Sequence, residues 1–192
     1  MQLPDLKASQ YETDEITTGI DVSEFQGNID WKAVADSGID FAMIRVGYRG
    51  MKNGEIKEDA CAKYNLQEAS KNGLKIGAYF FSTAVTEEEA KEEAEWTKNL
   101  LSGYPVTYPV AYNCEGFQNP SSRQFELSVE ERTKLADAFL KSIEEGSYTG
   151  MFYAAKNELD DNNLWNADDL SLNYRIWVAQ YSDQTWPEKN KI

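Results

Sequence analysis

The run Tyr108-Pro109-Val110-Ala111-Tyr112-Asn113-Cys114-Glu115-Gly116-Phe117 passes from apolar residues to an amide, a thiol and a carboxylate. Flanked by Pro and Gly, it reads as a buried parallel strand, of the kind covered on both faces. Whatever follows its last apolar residue stands at the strand's carboxyl end, where barrels and open α/β sheets keep their chemistry. Asn113 and Glu115 are two apart, so an extended backbone turns both to the same side. Glu115 is therefore the first candidate for a catalytic acid. Strand-end carboxylates also serve as loop or helix caps, so the rest of the chain must decide between the two roles.

Working outward, similar runs recur. Thr18-Gly19-Ile20-Asp21-Val22-Ser23 makes a short strand ending on a carboxylate and a hydroxyl. Phe41 to Tyr48 is a buried strand broken by Arg45. A charge left unpaired in such a run costs roughly 3–5 kcal/mol, so Arg45 is expected to pair with an acid at the barrel mouth, as a brace or as a substrate contact. Residues 74–82, 148–154 and 174–181 supply further strands, making six with the run around Asn113.

Helices fall between them. Asp30 caps a short one that Gly38 closes, and residues 58–72 form another, stopped by Gly73. Thr86-Glu87-Glu88-Glu89 and Ser128-Val129-Glu130-Glu131 are capping patterns. Ala90, Ala94, Thr97 and Leu101 mark the buried face of the first of these helices, and Ala136, Phe139, Leu140 and Ile143 that of the second. A short acidic, Asn-rich helix is expected to end near Trp165. This alternation predicts an α/β fold with a largely parallel sheet, closed or nearly so. Residues 1–17 read as a solvated leader and 18–192 as one domain. The polar tail after Tyr181 is too short for another strand and helix, and six strands do not close an eight-stranded barrel.

Composition narrows the function. A net charge of -14, from 19 basic against 33 acidic residues, argues against binding a phosphate backbone, which needs clustered cations. No stretch is apolar enough to span a bilayer, and the amino terminus lacks the charged-then-apolar signature of a signal peptide. The sequence has no His, which rules out Ser-His or Cys-His nucleophiles and His-ligated metals. Acid-base chemistry must then use carboxylates, Tyr or Lys. Cys61 and Cys114 lack metal-ligand spacing and read as two buried thiols rather than a disulfide. No metal or cofactor is expected.

Several segments together resemble glycoside hydrolase family 25, the lysozymes (N-acetylmuramidases) of bacteria and phages. They are Gly19-Ile20-Asp21-Val22-Ser23-Glu24-Phe25-Gln26-Gly27, Ile29-Asp30-Trp31, Gly38 to Arg45, Gly77-Ala78-Tyr79-Phe80-Phe81, Tyr108-Pro109-Val110 leading to Asn113-Cys114-Glu115, and Trp177-Val178-Ala179-Gln180-Tyr181. The resemblance implies a flattened, irregular (β/α) TIM-like barrel that hydrolyses the β-1,4 bond between N-acetylmuramic acid and N-acetylglucosamine. By position, Glu115 matches the glutamate of the family's Asp-x-Glu motif, and Asp21 the aspartate of the first strand. Two departures stand out. Asn113 replaces the motif's aspartate, and the family's last strands, one with a further site aspartate, have no counterpart here.

The resulting expectation is a secreted, wall-acting, monomeric muramidase whose partner is the peptidoglycan glycan strand. Glu115 would be the general acid, held protonated by apolar surroundings and by Asp21. Asp21 would stabilise the oxocarbenium-like centre or position water, and Asn113 would hold the 2-acetamido group. Tyr48, Tyr79, Tyr112, Tyr153, Trp177 and Gln180 are candidates to line the sugar groove. A wall-binding module without turnover and a chitinase-like hydrolase are the rivals.

Overall fold

The computed structural model describes residues 17–160 and 164–181. All but the last residue of the expected leader, and the tail from 182, lie outside that range. Six strands run parallel, as their apolar runs predict: β1 (Gly19–Val22), β2 (Phe41–Arg49), β4 (Lys75–Phe81), β5 (Val106–Asn113), β6 (Gly150–Ala155) and β7 (Arg175–Ala179), in the spatial order β1-β2-β4-β5-β6-β7. A short β3 (Ile56–Glu58) pairs antiparallel with β2. Among the described residues β1 and β7 each have a single partner, so the sheet is a curled, open half-barrel, in keeping with the expected irregular α/β barrel.

Helices cover the convex face: α1 (Trp31–Asp36), α2 (Ala62–Lys71), α3 (Glu87–Leu101) and α4 (Val129–Glu145). Two shorter ones, α5 (Lys156–Leu159) and α6 (Ala167–Asn173), precede β7. The short helix expected before Trp165 corresponds to α5, which ends at Leu159; residues 161–163 of that acidic, Asn-rich stretch lie outside the described residues. Trp165 is fully buried and packs edge-on to Phe152 at 4.9 Å. Between the helices and the sheet lies the core, where Phe80, Tyr112, Phe139 and Phe152 meet at ring separations of 5.3–6.4 Å.

The helix starts follow the predicted chemistry. Thr86 Oγ1 accepts from the Glu89 N–H, and Ser128 Oγ from the Glu131 N–H, while Glu131 reaches back to the Ser128 N–H at 2.8 Å. Ser128→Ala should lower unfolding free energy by about 1 kcal/mol, readable as a shifted denaturant midpoint with unchanged slope. A full-strength midpoint would show the cap to be idle.

The stripe on α3 contains a surprise. Glu93 sits among Ala90, Ala94 and Thr97 with no exposed surface. It pairs at 2.7 Å with Arg49 at the end of β2, which also holds Glu92 at 2.7 Å. Burial pushes Glu93 up to about 7, against the opposing pull of Ser82 and Arg49. Arg49 moves upward too: burial opposes its charge, but its hydrogen bonds to Glu92 and Glu93 prevail. A guanidinium does not release its proton in this range, so Glu93 is the member that titrates. The folded state therefore holds this proton more tightly than the unfolded chain. The associated stability is complete below the ordinary value near 4.5 and is lost as pH rises through about 7. Glu93→Gln should flatten the stability profile across that window. An unchanged slope would place the titration elsewhere.

Candidate active site

Alternation along the strands sorts side chains between the two faces of the sheet. Phe81, Asn113, Tyr153 and Trp177 stand level on β4, β5, β6 and β7. Together with Asp21, Tyr79 and Glu115 they line a cavity of about 300 Å³. A broader depression of about 460 Å³ lies between α1 and α2. It has no strand-end acids, and its lysines are committed, Lys32 to Asp36 and Lys71 to Glu68. Size alone would favour it, but the chemistry belongs to the smaller cavity.

The end of β5 is held from behind. Cys114 is buried, and its Sγ donates to Gln124 Oε1 at 3.1 Å, while Gln124 Nε2 donates to the Ala84 carbonyl. Phe117 is buried edge-on to Trp165 at 5.3 Å, with the Arg132 guanidinium 4.2 Å from its ring centre. Gly116 takes φ 74°, a left-handed turn that costs a glycine little. With Cys114 and Phe117 drawn inward, Glu115 is left at the mouth. Burial raises the Cys114 thiol far above its usual range, which fits a filler rather than a nucleophile.

Asn113 is 4% exposed and lines the cavity, and its backbone carbonyl accepts from the Ser82 N–H at 2.7 Å. Asp21 opens to the cavity yet is sunk far enough among protein atoms that desolvation raises its pKa, offset in part by a backbone hydrogen bond. Tyr79 is pushed up to about 12, by burial first and then by the charge of Asp21. It stays a phenol, available to donate. Burial and the neighbouring charge of Glu115 raise Tyr153 as well. Its hydroxyl reaches Glu115 Oε1 at 3.4 Å, a long contact. Trp177 stands edge-on to both tyrosines, 6.0 Å from Tyr79 and 4.9 Å from Tyr153, forming one aromatic wall.

Arg45 behaves as its position predicts. Its Nε donates to Asp59 Oδ2 at 2.7 Å and its Nη2 to Glu24 Oε1 at 3.0 Å. Asp59 is fully buried. Bracing is thus established for Arg45, which also lines the cavity.

Five expectations need revision. Tyr112 faces the helices, fully buried against Phe139, because a residue adjacent to an inward Asn113 must point outward. Gln180 is exposed beyond β7 and outside the cavity; Tyr181, one residue on, takes the lining position. Tyr48 is held beside Arg45, its ring centre 5.4 Å from the guanidinium, and is not part of the cavity wall. Glu115 is exposed rather than enclosed by apolar groups, and among the described residues no cation pairs with it. Cys61, expected to be buried, is only half-buried. Phe25, Gln26, Phe81 and Tyr181 line the cavity without having been singled out as site residues.

The sequence profile described as "Glycosyl hydrolases family 25" matches residues 20–191. An autolytic lysozyme of Clostridium acetobutylicum is 29% identical over 164 residues, 85% of this chain and 44% of its own length. An uncharacterized protein YegX of Escherichia coli K12 is 29% identical over 175 residues, 85% of this chain and 56% of its own. The chain thus spans about half the length of the curated relatives it matches. Among solved structures, the modular autolysin LytC of Streptococcus pneumoniae superposes with a TM-score of 0.76 at 24% identity, covering 93% of this chain and 41% of LytC. A family 25 glycosyl hydrolase from Bacillus anthracis gives 0.67 at 23% identity, covering 87% and 72%. LytC has also been solved in complex with a synthetic peptidoglycan ligand.

Proposed function

Since the chain belongs to glycosyl hydrolase family 25, we propose that it is a lysozyme-type glycosidase cleaving the β-1,4 bond between N-acetylmuramic acid and N-acetylglucosamine in peptidoglycan. The observation that carries this reading is that Asp21 and Glu115, from the first and fourth long strands, open into one cavity with Asn113 beside them. Glu115 protonates the leaving glycosidic oxygen as the bond to the anomeric carbon breaks. Asp21 faces the positive charge that develops at the anomeric carbon, or orients the attacking water. Asn113 accepts a hydrogen bond from the 2-acetamido N–H through its amide oxygen. Tyr79, Tyr153 and Trp177 offer phenol donors and ring faces to the sugar.

Peptidoglycan places this work outside the cell, at the wall. Among the described residues no helix is long and apolar enough to cross a membrane. The enzyme needs neither metal nor cofactor for the chemistry described, and it acts as a monomer on glycan strands, not on nucleic acid. The deciding assay is the release of new reducing ends from purified peptidoglycan. Wall binding without that release would select the second reading, a binding module on the same fold, which the neutral Asn113 favours. Cleavage of chitin oligomers but not peptidoglycan would reassign the substrate.

A further inference from the structure

Phe25 is 79% exposed, on a turn capped at both ends. An exposed Phe forfeits the free energy of burying its ring, so a rigidly presented one invites a partner. The turn, Glu24–Gln26, carries a full capping box: the Phe25 N–H donates to Ser23 Oγ at 3.3 Å, and the Ser23 N–H to Gln26 Oε1 at 2.8 Å. Gly27 closes it at φ 64°. The Phe25 ring centre lies 4.8 Å from the Arg45 guanidinium, which Asp59 and Glu24 hold from two directions. One side of the ring is thus set against a fixed cation while the other stays open.

The ring also lines the cavity that holds Asp21 and Glu115. It stands at the β1 edge of the sheet. At the β7 edge Tyr181 is 93% exposed and lines the same cavity. Aromatic groups therefore flank the acids at both edges of the sheet. A continuous glycan crossing the concave face meets each in turn, and pyranose rings present apolar C–H faces suited to an aromatic plane.

We infer that Phe25 forms a sugar-stacking subsite at the β1 rim of this cavity, beside the acids rather than at them, which makes the protein prefer long glycan strands to short fragments. The inference rests on the glycosidase reading above. It concerns only how substrate length is sensed.

The test uses peptide-free glycan strands of graded length, with wild type, Phe25→Ala and Phe25→Tyr compared. The readout is kcat/KM on long strands divided by kcat/KM on the shortest fragment that wild type cleaves. Phe25→Ala should lower that ratio roughly tenfold, a loss of about 1.4 kcal/mol, mainly through KM, and Phe25→Tyr should restore it. Strand binding, measured with the same three proteins, gives an arm independent of turnover, with Kd rising similarly for Phe25→Ala. If wild type binds or cleaves strands while Phe25→Ala matches it at every length, the subsite is refuted and the glycosidase reading survives. Wild type that neither binds nor cleaves them removes the glycan reading and this subsite with it. Equal thermal unfolding of the three proteins is expected, since the side chain is exposed.

Discussion

Glu115→Gln should cut the release of reducing ends from peptidoglycan by about 10²- to 10⁴-fold, the usual contribution of a positioned general acid. The substitution keeps the shape and the hydrogen-bonding reach of the side chain but removes the transferable proton. Cys114 and Phe117, which fix the loop from behind, are untouched, so folding and strand binding should persist. The expected signature is therefore loss of kcat with binding kept, showing that the missing interaction belongs to the transition state. Asp21→Asn should also be slow, yet for a different reason, because it withdraws charge from the developing cation and leaves the acid in place. A leaving group that departs without protonation, such as an activated aryl glycoside, should thus recover much of the Glu115→Gln rate and little of the Asp21→Asn rate. Full activity of Glu115→Gln on the natural polymer would end the assignment.

What could be foreseen of this site follows from a rule of period two. Buried strands are apolar runs, so their ends were visible, and with them Asp21, Asn113 and Glu115. The same rule places Tyr112 and Cys114 on the opposite face, where they are found, so strand-end position without parity is a poor guide to the groove wall at Tyr112. Gln180 failed likewise, one residue from the inward Tyr181. Glu93 was legible in principle, lying within the Ala90, Ala94 and Thr97 stripe of α3, but an acidic residue on a Glu-rich helix reads as solvated until its partner is known. That partner, Arg49, comes from a strand distant in sequence. β3, only Ile56–Glu58, is too short to show a period, and its pairing with β2 is set by tertiary context. Phe25 carries no periodic signal at all, since its role depends on what Arg45 does beneath it.

Asn113→Asp should raise turnover by about 10²- to 10³-fold, if a preorganised negative charge at this position is what the present chain lacks. The neutral amide can orient an acetamido group, but it cannot balance the positive charge that grows when that group attacks its own anomeric carbon. The position is well placed for charge to matter, because Asn113 is 4% exposed and electrostatic effects grow as water is excluded. The same burial makes a new carboxylate costly. It would share a cavity of about 300 Å³ with Asp21 and Glu115, and both desolvation and like charge would raise its pKa above the ordinary aspartate value. The gain should therefore depend on pH, full where the new group is ionised and fading as pH falls through its raised pKa, with wild type lacking that limb. A rate increase with such an acid limb would identify the charge at position 113 as the missing element. An unchanged or lower rate at every pH would mean that the amide is the working group, adapted to a substrate whose 2-substituent needs a hydrogen bond more than a counter-charge.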